Sequence, residues 1–475
     1  MSLRVTPTWG TMRGVVLMLT MLGTTSLMRA QHDELDIPEK DSTTTKTALS
    51  DIMRKGQVEG RFRQYSMATI NQGQLTDLYA FAFGGSLGFG SERWKGFQFK
   101  LSGGYTFDLG TSDLTKPDPS TGQLSRYELG LFDATDPRKR NDVAYLQFFQ
   151  LNYARERTRI VFGRQELNTP FLNPQDGRMH PSLFEGIWGA HTTKQGTHLE
   201  GGWLYKASPR GTASWYGIAE SMSLYPTGVN VFGKPSSCGP LLSSAGIFTA
   251  NVEHRFAKRL KLSAWDMYVE NIFNTALLQA DLGEKEQRWM LSGQAVRQDA
   301  ANNAGGLNDS AVYMPAGSSS WAFSGRFRMD HGRFRWQANY TRITAKGRYL
   351  MPREWGRDPF FTFLPRERNE GLGDVHATTL NLIWRDLGPG LKLQADAGAY
   401  WLPAPTDARL NKYGMPSYTQ FDINAQCQFQ GGWKGLAVQL IYLMKLPLNE
   451  ATLTAKQTYN KVDMHHLELI VNYTF

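Results

Sequence analysis

The stretch Gly96–Leu109, GFQFKLSGGYTFDL, decides the fold class. Phe97, Phe99, Leu101, Tyr105, Phe107 and Leu109 fall on one side of an extended chain, and Gln98, Lys100, Ser102, Thr106 and Asp108 on the other. Successive strand residues point to opposite faces, so this is a ribbon with one apolar and one polar side. The pattern returns at Ser320–Asp330, where Trp321, Phe323, Phe327 and Met329 oppose Ser324, Arg326, Arg328 and Asp330. It returns again at Gly390–Leu402, Tyr418–Gln430 and Met464–Phe475. Half-buried strands of a soluble sandwich also alternate. These run longer, nearer the about 9–11 residues of a membrane strand than the about 5–6 of a soluble one.

Working outward, the alternation predicts eighteen strands, near 56–71, 78–90, 96–109, 142–156, 158–168, 185–195, 197–207, 246–257, 260–270, 275–282, 287–298, 320–330, 333–345, 373–386, 390–402, 418–430, 434–446 and 464–475. Linkers after even-numbered strands are short, and the long ones all follow odd-numbered strands: 110–141, 169–184, 208–245, 299–319, 346–372, 403–417 and 447–463. Tight turns on one rim and long loops on the other are the asymmetry of a bacterial outer-membrane barrel. Ser214–Tyr225 reads as a helix within one long loop. A lipid-exposed sheet with open edges would leave N–H and C=O groups unpaired at several kcal/mol each, so a spanning sheet must close. The fold class expected is all-β, a transmembrane antiparallel up-and-down barrel over 56–475. Trp94, Trp188, Trp289, Trp384, Trp401, Trp433 and Tyr473 are candidates for interfacial girdles.

Composition agrees. The 475 residues are 12% aromatic and only 20% charged, with 47 Gly, which suits a β-rich chain. After the first 30 positions no run of about 18 apolar residues occurs, which excludes a helical membrane protein. Arg4 and Arg13, the apolar run Gly14–Gly23 and the small residues before Gln31 form the pattern of a signal peptide over 1–30, although Met28 stands where a small residue is preferred. Without that segment and its three Arg, 49 basic residues face 43 acidic ones, a net of +6 that does not signal nucleic acid. Residues 31–55 read as a polar periplasmic lead-in with a short helix near Ala48–Arg54. Cys238 and Cys427 are too few for a disulfide framework and read as unpaired thiols.

A pore of eighteen strands needs lumenal charge and constricting loops to be selective. Alternation puts Arg326 and Arg328 on the polar face of one strand and Arg333 and Arg335 on that of its hairpin partner; Arg61 and Arg63 share a face near the start, and Arg385 and Lys392 face inward on a later hairpin. On neighbouring tilted strands these form a basic ladder that can pass a carboxylate from fork to fork. Pairing with Asp330, Asp396, Asp422, Glu59 or Glu468 is the competing role for the same bases. The loop 169–184 has Pro170, Pro174, Pro181 and Gly177 to fix its path, and offers Asp176, Arg178 and His180. The 346–372 loop carries both signs of charge, which suggests internal pairing.

Two segments, GRQELNTPFLNPQDGRMHPSLFEG at 163–186 and REWGRDPFFTFLPRERNEG at 353–371, resemble the OprD-type family of substrate-selective outer-membrane porins. The resemblance spans roughly 50–475 and rests on Asp176-x-Arg178 and Pro181-x-x-Phe184-x-Gly186. It implies an eighteen-stranded barrel, often a homotrimer, with the 169–184 loop folded inward as a constriction and a ladder of lumenal Arg. The terminal Phe475 is similar to the signal read by the barrel-assembly machinery. The basic 346–372 loop and the long 110–141 loop depart from the family pattern, and bear on the solute more than on the fold.

No Gly-x-Ser-x-Gly elbow or phosphate loop is present, and adjacent His465 and His466 point to opposite faces, so neither catalysis nor a metal or cofactor is expected. The expected partners are small solutes, outer-membrane lipid and lipopolysaccharide. The function expected is passive, selective diffusion of small solutes bearing carboxylates: amino acids, organic acids, small peptides. Alternatives are an oligosaccharide-selective porin in the same fold, a barrel enzyme, and a structural or adhesion barrel.

Overall fold

The computed structural model describes residues 49–141, 143–175, 177–236, 238–257, 259–283, 288–309, 311–449 and 453–475. The signal peptide expected over 1–30 lies outside them, as does most of the 31–55 lead-in. The short helix forms at Leu49–Arg54 and buries Ile52.

In chain order the strands are β1 (Gln57–Asn71), β2 (Leu78–Gly90), β3 (Phe97–Asp108), β4 (Val143–Arg155), β5 (Thr158–Gln165), β6 (Leu183–Thr192), β7 (His198–Ser208), β8 (Tyr216–Gly217), β9 (Ile247–Phe256) and β10 (Leu260–Val269). They continue as β11 (Phe273–Leu282), β12 (Trp289–Ala300), β13 (Ser319–His331), β14 (Phe334–Ile343), β15 (Val375–Gly388), β16 (Leu391–Trp401), β17 (Tyr418–Gln428), β18 (Leu436–Pro447) and β19 (Met464–Thr474). All but β8 span, giving eighteen spanning strands among the described residues. Each pairs antiparallel with its chain neighbours, and β1 pairs with β19 from Arg61↔Thr474 to Asn71↔Met464, which closes the barrel. The two-residue β8 adds to β7 and leads into a helix at Ile218–Ser221, so the segment expected as helix is one turn of helix after a bridge.

Tight turns at one rim are made by left-handed residues. Gly390 has φ +71°, and a Cβ there would sit 2.0 Å from the Gln428 carbonyl, so the turn between β15 and β16 requires glycine. At the seam, Gly60 N–H donates to Phe475 O at 2.9 Å and Phe475 N–H returns to Gly60 O at 3.0 Å. The Phe475 ring lies against Phe62, with centroids 5.6 Å apart.

The alternation turns apolar side chains outward. Phe97, Trp321 and Leu469 are 43%, 37% and 38% exposed, while Ser102, Ser324 and Glu468 are buried inside. Trp94, Trp289, Trp384, Trp401, Trp433 and Tyr473 are exposed as girdle residues must be. Trp188 is the exception. On β6 it is Ile187 that points outward, so Trp188 faces the interior and joins a buried cluster.

The polar side does not simply face water. Toward the long-loop rim the inward residues become apolar: Tyr65, Met67, Leu78, Ala80, Leu443 and Ile470 are buried against Leu114, Leu131 and Phe132 of the 109–142 loop. A larger cluster packs Phe171, Leu172, Trp355, Phe360 and Leu364 from other loops against Ile247, Val269, Ile343 and Tyr400 of the wall. Long loops therefore fold into the barrel and build a core there.

Leu469 lies midway along β19 on the outer face. Leu469→Arg is expected to cost about 2–4 kcal/mol in a bilayer, read as a lowered urea midpoint for unfolding from liposomes.

Candidate functional site

Eight strands and one loop make the narrowing. The 346–372 segment crosses the lumen as a strap. Its Leu350 N–H and C=O both bond the Gln298 amide of β12, at 2.9 and 2.7 Å. Gln294 of β12 donates to Pro359 O at 3.2 Å, Phe361 N–H donates to Ser324 Oγ of β13 at 3.1 Å, and Thr362 Oγ1 meets Thr341 of β14 at 2.7 Å. Tyr400 of β16 donates to Thr362 O and Gln420 of β17 to Pro365 O, each at 2.8 Å. Lys445 of β18 pairs with Glu367 at 3.2 Å. Arg366 reaches Glu468 of β19 with both Nε and Nη2, and its Nη2 also reaches Tyr65 Oη of β1 at 2.7 Å.

Other loops brace the strap. Asn173 holds it on three bonds: its N–H donates to Trp355 O at 3.0 Å, its side chain donates to Arg357 O at 3.1 Å, and Arg357 N–H donates back to Asn173 Oδ1 at 3.0 Å. Trp355 Nε1 donates to Ser221 Oγ at 2.8 Å, and Arg348 reaches Val229 O at 2.8 Å. Arg126 of the 109–142 loop pairs with Glu367 at 3.1 Å, so that loop enters the barrel too. Burial opposes ionisation of Glu367, but Arg126 and Lys445 outweigh it and hold the carboxyl well below its ordinary value.

The loop carrying Asp176, Arg178 and His180 lies inside the barrel, against β1. Arg63 Nη1 donates to Arg178 O at 2.7 Å, and Arg61 Nη2 to Met179 O at 3.3 Å. Asp176 is outside the described residues. Arg178 is buried, and its Nη1 turns back to Gly177 O at 2.6 Å. His180 is placed away from open lumen: Nε2 lies 2.7 Å from Thr212 O, Nδ1 3.0 Å from Pro181 O, and the ring packs tilted against Tyr145 with centroids 4.4 Å apart. Burial lowers its pKa, so it serves as a fixture of the loop. Where the chain leaves the wall after β5, Trp215 Nε1 donates to Leu146 O at 3.2 Å and covers the freed edge of β4.

The other inward bases form a second group nearer the short-turn rim. Asp330 is its hub: Arg335 at 2.6 Å, Arg328 at 3.0 Å and Arg385 at 3.6 Å share that one carboxylate. Arg328 lies at ion-pair distance without hydrogen-bond alignment. Arg333 sits at the turn and donates to Asp386 O at 3.0 Å. Lys392 has no ion pair within 4 Å among the described residues. Arg326 bonds Asn339 at 3.0 Å and lies 4.1 Å above the Phe361 ring. So Arg61 and Arg63 go to the 169–184 loop, Arg326 to the strap, and Arg328, Arg335 and Arg385 to one acid.

Sequence reasoning missed Arg210 and left open whether the 346–372 loop, with its Arg357, enters the pore. A signal existed: Trp355, Phe360, Phe361, Phe363 and Leu364 crowd into ten residues, too apolar for a loop standing in water. Arg210, buried beside Arg178 and Arg368, is pulled well below its ordinary value, first by burial and then by those cations.

A closed eighteen-strand barrel, apolar outside and narrowed inside by a strap of charged and aromatic residues, is the build of an outer-membrane porin. The family model described as outer membrane porin, OprD family, matches residues 70–349. The chain belongs to the OprD family. Solved barrels share the fold. Pseudomonas aeruginosa OccK9 (OpdG) aligns at TM-score 0.69 and 17% identity, covering 89% of this chain and 99% of that one. Acinetobacter baumannii OccAB2 aligns at 0.68 and 14%, covering 89% and 98%. Pseudomonas aeruginosa OpdK with vanillate aligns at 0.66 and 15%, covering 89% and 99%. No curated protein matches by sequence. Among the described residues no helix is long and apolar enough to cross a membrane, so the crossing is made by strands.

Glu468→Gln would leave Arg366 buried without its counter-charge, at a cost of about 3–5 kcal/mol; the strap should loosen, seen as higher and noisier single-channel conductance. A pH effect follows from Asp358. Its carboxylate accepts from Asn369 N–H at 2.8 Å and Glu370 N–H at 3.2 Å. Burial pushes it up to about 6 against the pull of Arg368. An acid raised in the fold stabilises it fully below its ordinary value near ~4 and loses that contribution as pH rises through the folded value. Conductance should therefore rise between pH 5 and 7 with a midpoint near 6, and Asp358→Asn should flatten the profile.

Proposed function

We propose that the chain is a porin for passive, selective diffusion of small carboxylate-bearing solutes, guided by the inward bases and the strap. One observation carries the reading: Arg328, Arg335 and Arg385 share the single carboxylate of Asp330, so this part of the wall stays positive after pairing. Lys392 adds charge beside it. A guanidinium grips a carboxylate with two parallel bonds and stays ionised, so a row of partly satisfied forks offers shallow, repeated sites. OpdK, of similar fold, was solved with vanillate, a carboxylate, which favours the same solute class.

A second reading has a specific observation behind it. Amides line the same wall: Gln294 donates to Gln279 at 2.8 Å, Asn339 to Asn381 at 2.7 Å and Asn381 to Asp396 at 2.7 Å. Such groups bond hydroxyls, which favours neutral oligosaccharides. The reading also includes export through a cleaved 1–30 segment, assembly through Phe475, lipopolysaccharide at the outer belt, and a homotrimer.

The test is a planar bilayer. Arg326→Ala with Arg335→Ala should weaken block by carboxylates and shift the reversal potential toward cation selectivity. An unchanged reversal potential would remove the ladder while leaving the barrel standing, and block by oligosaccharides alone would favour the second reading.

A further inference from the structure

We propose that the cavity between strap and wall is a subsite for solutes bearing two carboxylates, and that Arg357 is the residue that selects them; this rests on the carboxylate reading above. The cavity holds about 400 Å³ and is lined by Arg326, Arg357, Phe361, Phe363, Gln279 and Gln294 among others. Arg326 enters from the wall and Arg357 from the strap.

The two guanidiniums are held differently. Arg326 spends Nε on Asn339 and sits over the Phe361 ring, so one edge of its fork is used. Arg357 has its backbone clamped on both sides by Asn173, while its side chain makes no hydrogen bond and no ion pair among the described residues. Its guanidinium stands 5.7 Å from the Phe363 ring and is exposed to the lumen. A fixed backbone carrying an uncommitted fork is the build of a ligand-contacting residue rather than of a structural one.

The nearby acids are largely engaged. Asp358 lines the cavity; its Oδ2 takes two backbone N–H groups and Arg368 faces it, while its Oδ1 has no hydrogen bond among the described residues. Asp281 has Lys261 at 3.6 Å. No carboxylate lies within 4 Å of Arg326 or Arg357 among the described residues. Two like charges facing one cavity repel each other. One solute carboxylate relieves one of them; a diacid spanning the cavity relieves both, with the amides bonding its middle. Arg326 would hold a monoacid as well, so the preference for the second charge falls to Arg357.

The experiment uses the full-length channel in planar bilayers at pH 7.5 and constant ionic strength, with succinate and butyrate as four-carbon probes. Succinate should block at about one-tenth the butyrate concentration, the worth of one charge-assisted contact. Arg357→Gln should bring the two acids to similar values, and Arg357→Lys should keep most of the difference. Equal block in the wild type, or a ratio that survives Arg357→Gln, overturns the two-charge inference and leaves the carboxylate reading intact. Block by neither acid removes both. Should Arg357→Gln fail to assemble, as judged by heat-modifiable mobility, the wild-type ratio still decides.

Discussion

The seam between β1 and β19 is the constraint on which everything else depends. A sheet facing lipid has no water to satisfy its edge groups, so its first and last strands must find each other. Here eleven residue pairs do so, from Arg61↔Thr474 to Asn71↔Met464. Side-chain period is two, and one residue of slip would turn Tyr65, Met67 and Thr69 outward and Phe62 and Ile70 inward. Closure and alternation together decide which residues can meet a solute. Arg63 reaches the constriction loop because β1 is held by the seam, and Glu468 meets Arg366 because β19 is held by the same ladder.

Within that ring the strap solves a second problem. An open lumen of this diameter would pass small solutes without discrimination. Narrowing it requires chain in the interior, and such chain must satisfy its own backbone and charges. The strap does so wherever it touches the wall, lending Pro359 O, Thr362 O and Pro365 O to wall side chains and lodging Arg366 on Glu468. Removing ions from water is expensive, so these pairs add little net stability and much specificity of path. Glu367 shows this: held by Arg126 from one loop and Lys445 from the wall, it fixes three elements at one point.

Much of this was legible in the sequence. Gly96–Leu109 needs no tertiary information to be read as a two-faced ribbon, because the period belongs to the backbone. The strand ends were blurred by two residues where β6 begins at Leu183 and β12 runs on to Ala300, since there the inward positions turn apolar and alternation fades. Trp188 was assigned to a girdle on residue type alone, and parity overruled it. The site was less legible. Arg326 and Arg335 were placed inward by parity, yet nothing local says that Arg335 shares Asp330 with two others while Arg326 lies on Phe361. Those facts depend on strand register and on a loop more than twenty residues away. The charges of both signs in 346–372 pointed to internal pairing; Arg353 and Glu370 do pair within the loop at 2.7 Å, while Arg366 pairs with the wall and Glu367 with the wall and another loop, because five large apolar residues carry the loop out of water.

The division of labour between wall and strap follows from how charge is shared. Arg328, Arg335 and Arg385 divide one carboxylate, so each keeps part of its attraction for an anion and none keeps all of it. On the reading proposed above, a solute exchanging among them meets similar wells and is not trapped. A guanidinium with no protein partner offers a deeper well, tolerable in a channel only if it is single and open to the lumen. Among the described residues lining the cavity, Arg357 is the one guanidinium without a protein partner, and its place on the strap rather than the wall lets it change without disturbing a strand. Selectivity can then change through a loop whose backbone Asn173 already holds, while closure, alternation and the shared-charge wall stay as they are.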